Sequence, residues 1–290
     1  MFGTLPYLNQ LNFFKMKFSM KLLMVGVALA STIFSGCNQD DDTPEPNNTD
    51  GLVMIATGYT EAGSMKISVY STDSLYSRFT PLFVEVRDSA TDALIEDAHV
   101  TLNPMMQMPT GMTHSAPFEN PTGHNAVDGL FPCAVVFQMP GDMGWSLTVD
   151  VHEHVNGGEG EVTFPLMVMN PEPTRTRVVT PLNDPSKRLV ISYLQPLDPK
   201  VGINDFEITL HSRETMMSWP SIDNYTVEID PEMPSMGHGS PNNVNPTHGS
   251  NGHYTGQVNF TMTGLWRINL NIMDGSTVVD STAFFEVTLN

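Results

Sequence analysis

The stretch Trp145-Ser146-Leu147-Thr148-Val149-Asp150-Val151 alternates apolar and polar residues, and Trp266-Arg267-Ile268-Asn269-Leu270-Asn271-Ile272 repeats the pattern about 120 residues further on. A period of two sends successive side chains to opposite faces of a strand, so each segment predicts a strand with one face buried. Further strand signals are Leu82–Val86, His99–Leu102, Ala134–Phe137, Phe206–Leu210, Tyr225–Ile229 and Gln257–Phe260. No segment of a dozen residues sustains a 3.6-residue period, and Pro and Gly, 22 of each, interrupt the chain throughout. Many short strands broken by turn residues predict an all-β chain of two tandem immunoglobulin-like β-sandwich domains. The Cys pair of antibody domains is missing.

Around the two Trp segments the halves align further. Val100 and Pro104 pair with Val227 and Pro231, and Asn120-Pro121-Thr122 returns as Asn245-Pro246-Thr247. The run from Asp128 to Met139 lines up without a gap against Asn251 to Met262. Two prolines close together, Pro171 and Pro173, stop strand pairing and set the expected boundary. Residues 51–170 are the expected first domain and 171–290 the second.

Residues 1–37 predict an export signal: Lys15, Lys17 and Lys21 precede an apolar stretch from Leu22 to Phe34, too short for a membrane span. Phe34-Ser35-Gly36-Cys37 resembles a bacterial lipobox, which implies lipidation of Cys37 and a membrane anchor through it. Residues 38–50, opening Asn38-Gln39-Asp40-Asp41-Asp42, are acidic and Pro-containing and predict a flexible tether. An acidic cluster behind a lipidated Cys resembles the surface-export signal of Bacteroidetes-type lipoproteins, so the expected location is the cell envelope, at the outer membrane. Net charge is −19, and losing three Lys with the signal takes it to 10 − 32 = −22. Such a chain repels nucleic acid and attracts cations. With Cys37 lipidated, Cys133 is left without a disulfide partner, and a buried small hydrophobe is its expected role.

Chemistry concentrates in a Met- and His-rich segment that occurs twice. Met233-Pro234-Ser235-Met236-Gly237-His238 follows a strand expected to end at Ile229, and its turn formers predict a loop. Exposing a Met forgoes roughly 1.5–3 kcal/mol of burial unless something holds it, and thioether with imidazole is the donor set that suits Cu(I). Met233, Met236, His238, His248 and His253 are therefore candidate copper ligands. The first copy offers Met108, Met112, His114 and His124 as a second possible metal site, with Leu130 in place of His253. The competing reading is that these Met residues plug the open end of a sandwich. Met139 and Met262 read as core, and His152-Glu153-His154 as a solvated strand end.

The second half resembles the YtkA-like (FixH-like) domain in Met233–His238, then in Gly252-His253-Tyr254-Thr255-Gly256, then in Phe260–Trp266. The first half resembles a diverged copy. That resemblance implies an extracytoplasmic sandwich associated with copper handling. The resulting expectation is a lipoprotein binding copper, as Cu(I), for delivery or homeostasis, with a copper-accepting or copper-donating envelope protein as partner. The alternative is a non-catalytic envelope or surface interaction module whose Met-rich loops are structural. No nucleophile elbow, interpretable His/Asp/Ser spacing or Gly-rich phosphate loop is present, so an enzyme is not expected.

Overall fold

The computed structural model describes residues 48–290. The expected signal segment, Cys37 and residues 38–47 of the tether lie outside the described residues. The described chain is built from strands and contains no helix. Its first half holds β1 (Val53–Tyr59), β2 (Met65–Ser71), β3 (Phe79–Asp88), β4 (Ala98–Gln107), β5 (Thr113–Ser115), β6 (Phe118–Glu119), β7 (Phe131–Val136), β8 (Gly141–Glu153) and β9 (Glu159–Val168). Its second half holds β10 (Thr176–Val179), β11 (Leu189–Gln195), β12 (Gly202–Ser212), β13 (Thr226–Met233), β14 (His238–Gly239), β15 (Val244–His248), β16 (His253–Phe260), β17 (Gly264–Asp274), β18 (Thr277–Asp280) and β19 (Phe284–Leu289).

Antiparallel pairing arranges these into four sheets. In the first half, β1-β2-β3-β7-β6 lies over β5-β4-β8-β9; in the second, β10-β11-β12-β16-β15 lies over β14-β13-β17-β18, with β19 also paired to β17. Strand for strand, β1-β2-β3-β7-β6 and β10-β11-β12-β16-β15 share one order, and β5-β4-β8-β9 matches β14-β13-β17-β19. The alternation in β8 explains the packing. Leu147, Val149 and Val151 are fully buried, whereas the residues between them lean outward. In β17 the same holds for Trp266, Ile268, Leu270 and Ile272. Each half thus has its own core, anchored by Trp145 in one and Trp266 in the other.

The two sandwiches meet along a polar seam. The Ser115 N–H donates to the Met216 carbonyl at 2.8 Å, and the Phe79 N–H donates to Ser192 Oγ at 2.8 Å. His253 Nε2 lies 2.7 Å from Glu119 Oε1 across the same seam.

One local expectation is corrected. The strand expected to end at Ile229 runs on through Pro231 to Met233, and the loop shrinks to residues 234–237. Pro231 is tolerated because its carbonyl accepts the Ser240 N–H at 3.2 Å. In an antiparallel strand a residue's N and C=O face the same side, so the missing N–H faces short β14 and the ladder to β17 stays whole.

Candidate metal sites

At the tip of the second sandwich the hairpin is closed by Met236 N–H and Gly237 N–H, which both donate to the Met233 carbonyl at 3.0 and 2.9 Å. Gly237 adopts φ 59°, a conformation open to residues without a Cβ. The closure sets Met233 directly opposite His238. On the other side of Met233 runs β17, and the His238 ring stands 6.4 Å from the Trp266 ring at 62°. Imidazole, thioether and indole therefore form a row across three strands. Met233 is buried, and its methyl lies 2.7 Å from where a Cβ on Gly264 would sit, so a side chain there would force it to shift. Met236, 63% exposed, and His238, also exposed, stand at the open side.

The first sandwich builds the same row. Met106 pairs with His114 on β5 and with Trp145 on β8, and the His114 ring meets the Trp145 ring edge-on at 5.7 Å. Glycines again make way, since Gly141 and Gly144 each hold the Met106 methyl 2.9 Å from a would-be Cβ. Both indoles are fixed alike: Trp145 Nε1–H donates to the Met139 carbonyl and Trp266 Nε1–H to the Met262 carbonyl, each at 3.0 Å. His114 Nδ1 donates to the Ser115 carbonyl at 2.7 Å, which leaves Nε2 as the nitrogen with a lone pair. Here the row is closed: His114 is buried, and Trp219 of the second sandwich lies 6.4 Å from its ring. Met108 packs against the first core, and Met112 is exposed.

His248 and His253 do not join Met233, Met236 and His238. His248 Nε2 faces Asp223 Oδ1 at 3.1 Å, and its ring packs edge-on against Tyr254, whose hydroxyl accepts the Tyr225 N–H. That is the beginning of β13, whereas Met233 is its end, and eight residues of strand span roughly 25 Å. His253 has both nitrogens engaged, Nδ1 to Glu207 Oε1 and Nε2 to Glu119 Oε1, each at 2.7 Å. Burial alone would depress its pKa, but the two carboxylates outweigh it and push it up to about 9. An imidazole held protonated by two anions is a seam bolt and has no lone pair to offer a metal. Of the five candidate copper ligands, His248 and His253 thus lie apart from Met233 and His238, which pair across the hairpin that carries Met236.

His124 likewise leaves His114 and sits at the opposite end of β4. Its Nδ1 is 2.8 Å from Asp97 Oδ1, and His154 Nδ1 is 2.6 Å from the same oxygen. These hydrogen bonds, His124 first, hold the Asp97 carboxyl below the usual carboxylate range. His99 and His152, directly opposed on β4 and β8, stand beside them. The strand end expected to be merely solvated thus carries clustered imidazoles. A signal was present: His152 and His154 are two apart, which on a strand puts both on one face. Cys133 is buried, as expected of a small hydrophobe; its thiol donates to the Leu82 carbonyl, and burial raises its pKa.

Residues 188–271 match the model of the YtkA-like family, so the second sandwich carries a YtkA-like domain. No curated protein matches the chain. Among solved structures it is similar to invasin, a bacterial integrin-binding protein, at 14% identity and a TM-score of 0.26, covering 78% of this chain and 39% of that one. It is also similar to domains 5-6 of the S-layer protein SbsC, at 12% identity and a TM-score of 0.29, covering 82% and 99%. At these values neither likeness bears on function.

Proposed function

We propose that the chain is a non-catalytic envelope lipoprotein, anchored at the outer membrane through Cys37, that binds Cu(I) at the hairpin of its second sandwich for delivery or homeostasis. Met236 and His238 are the ligands that meet solvent, Met233 supplies sulfur from beneath, and Trp266 presents its ring alongside. The observation that carries this reading is the row His238–Met233–Trp266, open on its outer side. Soft sulfur and imidazole donors suit Cu(I), and an indole face attracts a cation within about 6 Å of its centroid. A site whose two exposed ligands sit on a four-residue loop and on the strand residue just after it can trade them one at a time with a copper-donating or copper-accepting envelope partner. The acidic surface raises the local concentration of cations.

The interaction-module reading also has an observation behind it. Met233 is buried in the second core, and the corresponding row in the first sandwich is sealed by Trp219. In that reading the thioethers are packing groups and the copper affinity is nil.

Anaerobic titration with Cu(I) against a competing chelator separates the two. Met236→Ala with His238→Ala removes only exposed side chains, so the variant keeps its fold. Copper binding in the native protein that falls at least tenfold in the variant supports the proposal. Equal affinity in both, or none in either, hands the chain to the interaction module.

A further inference from the structure

We propose a second metal site of different chemistry in the first sandwich: Asp97, His124 and His154, with His99 beside them, hold a divalent ion of the Zn(II) or Cu(II) class. This site shares no residue with the hairpin and stands independently of the Cu(I) reading.

Backbone pairing builds it. The Ala98 N–H donates to the His124 carbonyl at 2.8 Å, which ties the segment around His124 to one side of β4. On the other side the His154 N–H donates to the Asp97 carbonyl at 3.1 Å, continuing the ladder in which His99 opposes His152. Two imidazoles from separate segments are thereby brought to one carboxylate. One donor atom each from Asp97, His124 and His154 lies within 4.8 Å of the other two. Donors 2.0–2.1 Å from a tetrahedral zinc ion stand about 3.3 Å apart, so small side-chain rotations complete the set.

The three imidazole rings crowd one another. His99 and His154 are 4.5 Å apart between ring centroids, His124 and His154 5.1 Å, and His99 and His124 6.0 Å. Asp97 Oδ1 takes both Nδ1 atoms, so a single anion serves two imidazoles. An ion seated there exchanges each Nδ1–H···O contact for an Nδ1–metal bond, and the displaced proton moves to Nε2 or to water. His124 and His154 are on the surface, which leaves the ion an entry path. Nitrogen and oxygen donors without sulfur suit borderline divalent ions and disfavour Cu(I). The two sites would then take ions of different softness, one borderline and one soft.

The test uses Cu(II) alone, and then Zn(II) alone, on the protein and on His124→Gln with His154→Gln. Both substitutions lie at the surface and keep the side chains polar; a thermal melt checks the fold. The native protein is expected to bind one divalent ion here, with imidazole-nitrogen hyperfine coupling in the Cu(II) paramagnetic resonance spectrum. The double variant is expected to lose that coupling and about a hundredfold or more in affinity, and Asp97→Asn about tenfold or more. Met236→Ala with His238→Ala should leave divalent binding unchanged, which distinguishes failure of this site from failure of the hairpin. Unaltered Cu(II) affinity and spectrum in the His124/His154 variant, or no divalent binding by the native protein, would overturn the proposal.

Discussion

The same three side chains stand in a row in both sandwiches, yet one row is open and the other is covered. In the first row His114, beside Met106 and Trp145, meets Trp219, with the neighbouring Ser115 N–H bonded to the Met216 carbonyl. Among the described residues no second ring stands over His238, which is exposed. The core parts of the row, Met and Trp, are buried alike in both copies. What differs is the histidine, and the difference comes from the neighbouring sandwich. The same row of side chains is thus a packing unit where a seam closes it and a candidate ligand set where none of the described residues does.

The largest effect is expected where the rows are alike: Trp145→Ala and Trp266→Ala should each destabilise by about 3–5 kcal/mol, as deletions of fully buried rings do. Thermal unfolding checks it, and a marked difference between the two would show that the rows are not equivalent.

Next comes the seam that covers the first row. His253 has a folded pKa of about 9 against 6.5, so its contribution, roughly 3 kcal/mol, is whole below pH 6.5 and is lost as pH rises toward 9. His211 runs the other way. Burial first, and then the His253 charge, lower it to about 4, so stability is lost as pH falls from 6.5 toward 4. Denaturant midpoints should therefore peak near pH 6.5, and His253→Gln should flatten the alkaline side and soften the acid side, where its charge no longer acts on His211.

A smaller effect separates the two histidines directly. His114→Ala removes a buried, hydrogen-bonded imidazole and should destabilise by about 1–3 kcal/mol, while His238→Ala, at the surface, should stay within about 0.5 kcal/mol. Similar losses at both sites would mean that His238 is packed like its counterpart. Smallest of all, Met236→Ala should leave stability unchanged within about 0.5 kcal/mol while weakening Cu(I) binding in a competition titration.

Strand positions were legible because the period of two in Leu147–Val151 and in Trp266–Ile272 is what a half-buried sheet face requires. The Met233–His238 segment was recognisable as chemistry but not as geometry. Pro231 suggested a break, and only the pairing of β13 with short β14 shows that its missing N–H faces an edge. The fates of His248, His253 and His124 depend on which end of a strand each reaches and on partners far away in sequence, such as Glu119 for His253. No local pattern encodes those. The cluster around Asp97 was half visible in the spacing of His152 and His154; its other half arrives through the Ala98–His124 backbone pairing.

X-ray absorption at the copper edge of protein loaded with one equivalent of Cu(I) reads the ligands at the hairpin. Sulfur scatterers are expected together with imidazole nitrogen, the sulfur signal falling when Met236 is replaced by Ala and surviving replacement of Met112. A spectrum of nitrogen and oxygen neighbours without sulfur, or one that Met236→Ala leaves unchanged, would contradict the Cu(I) reading.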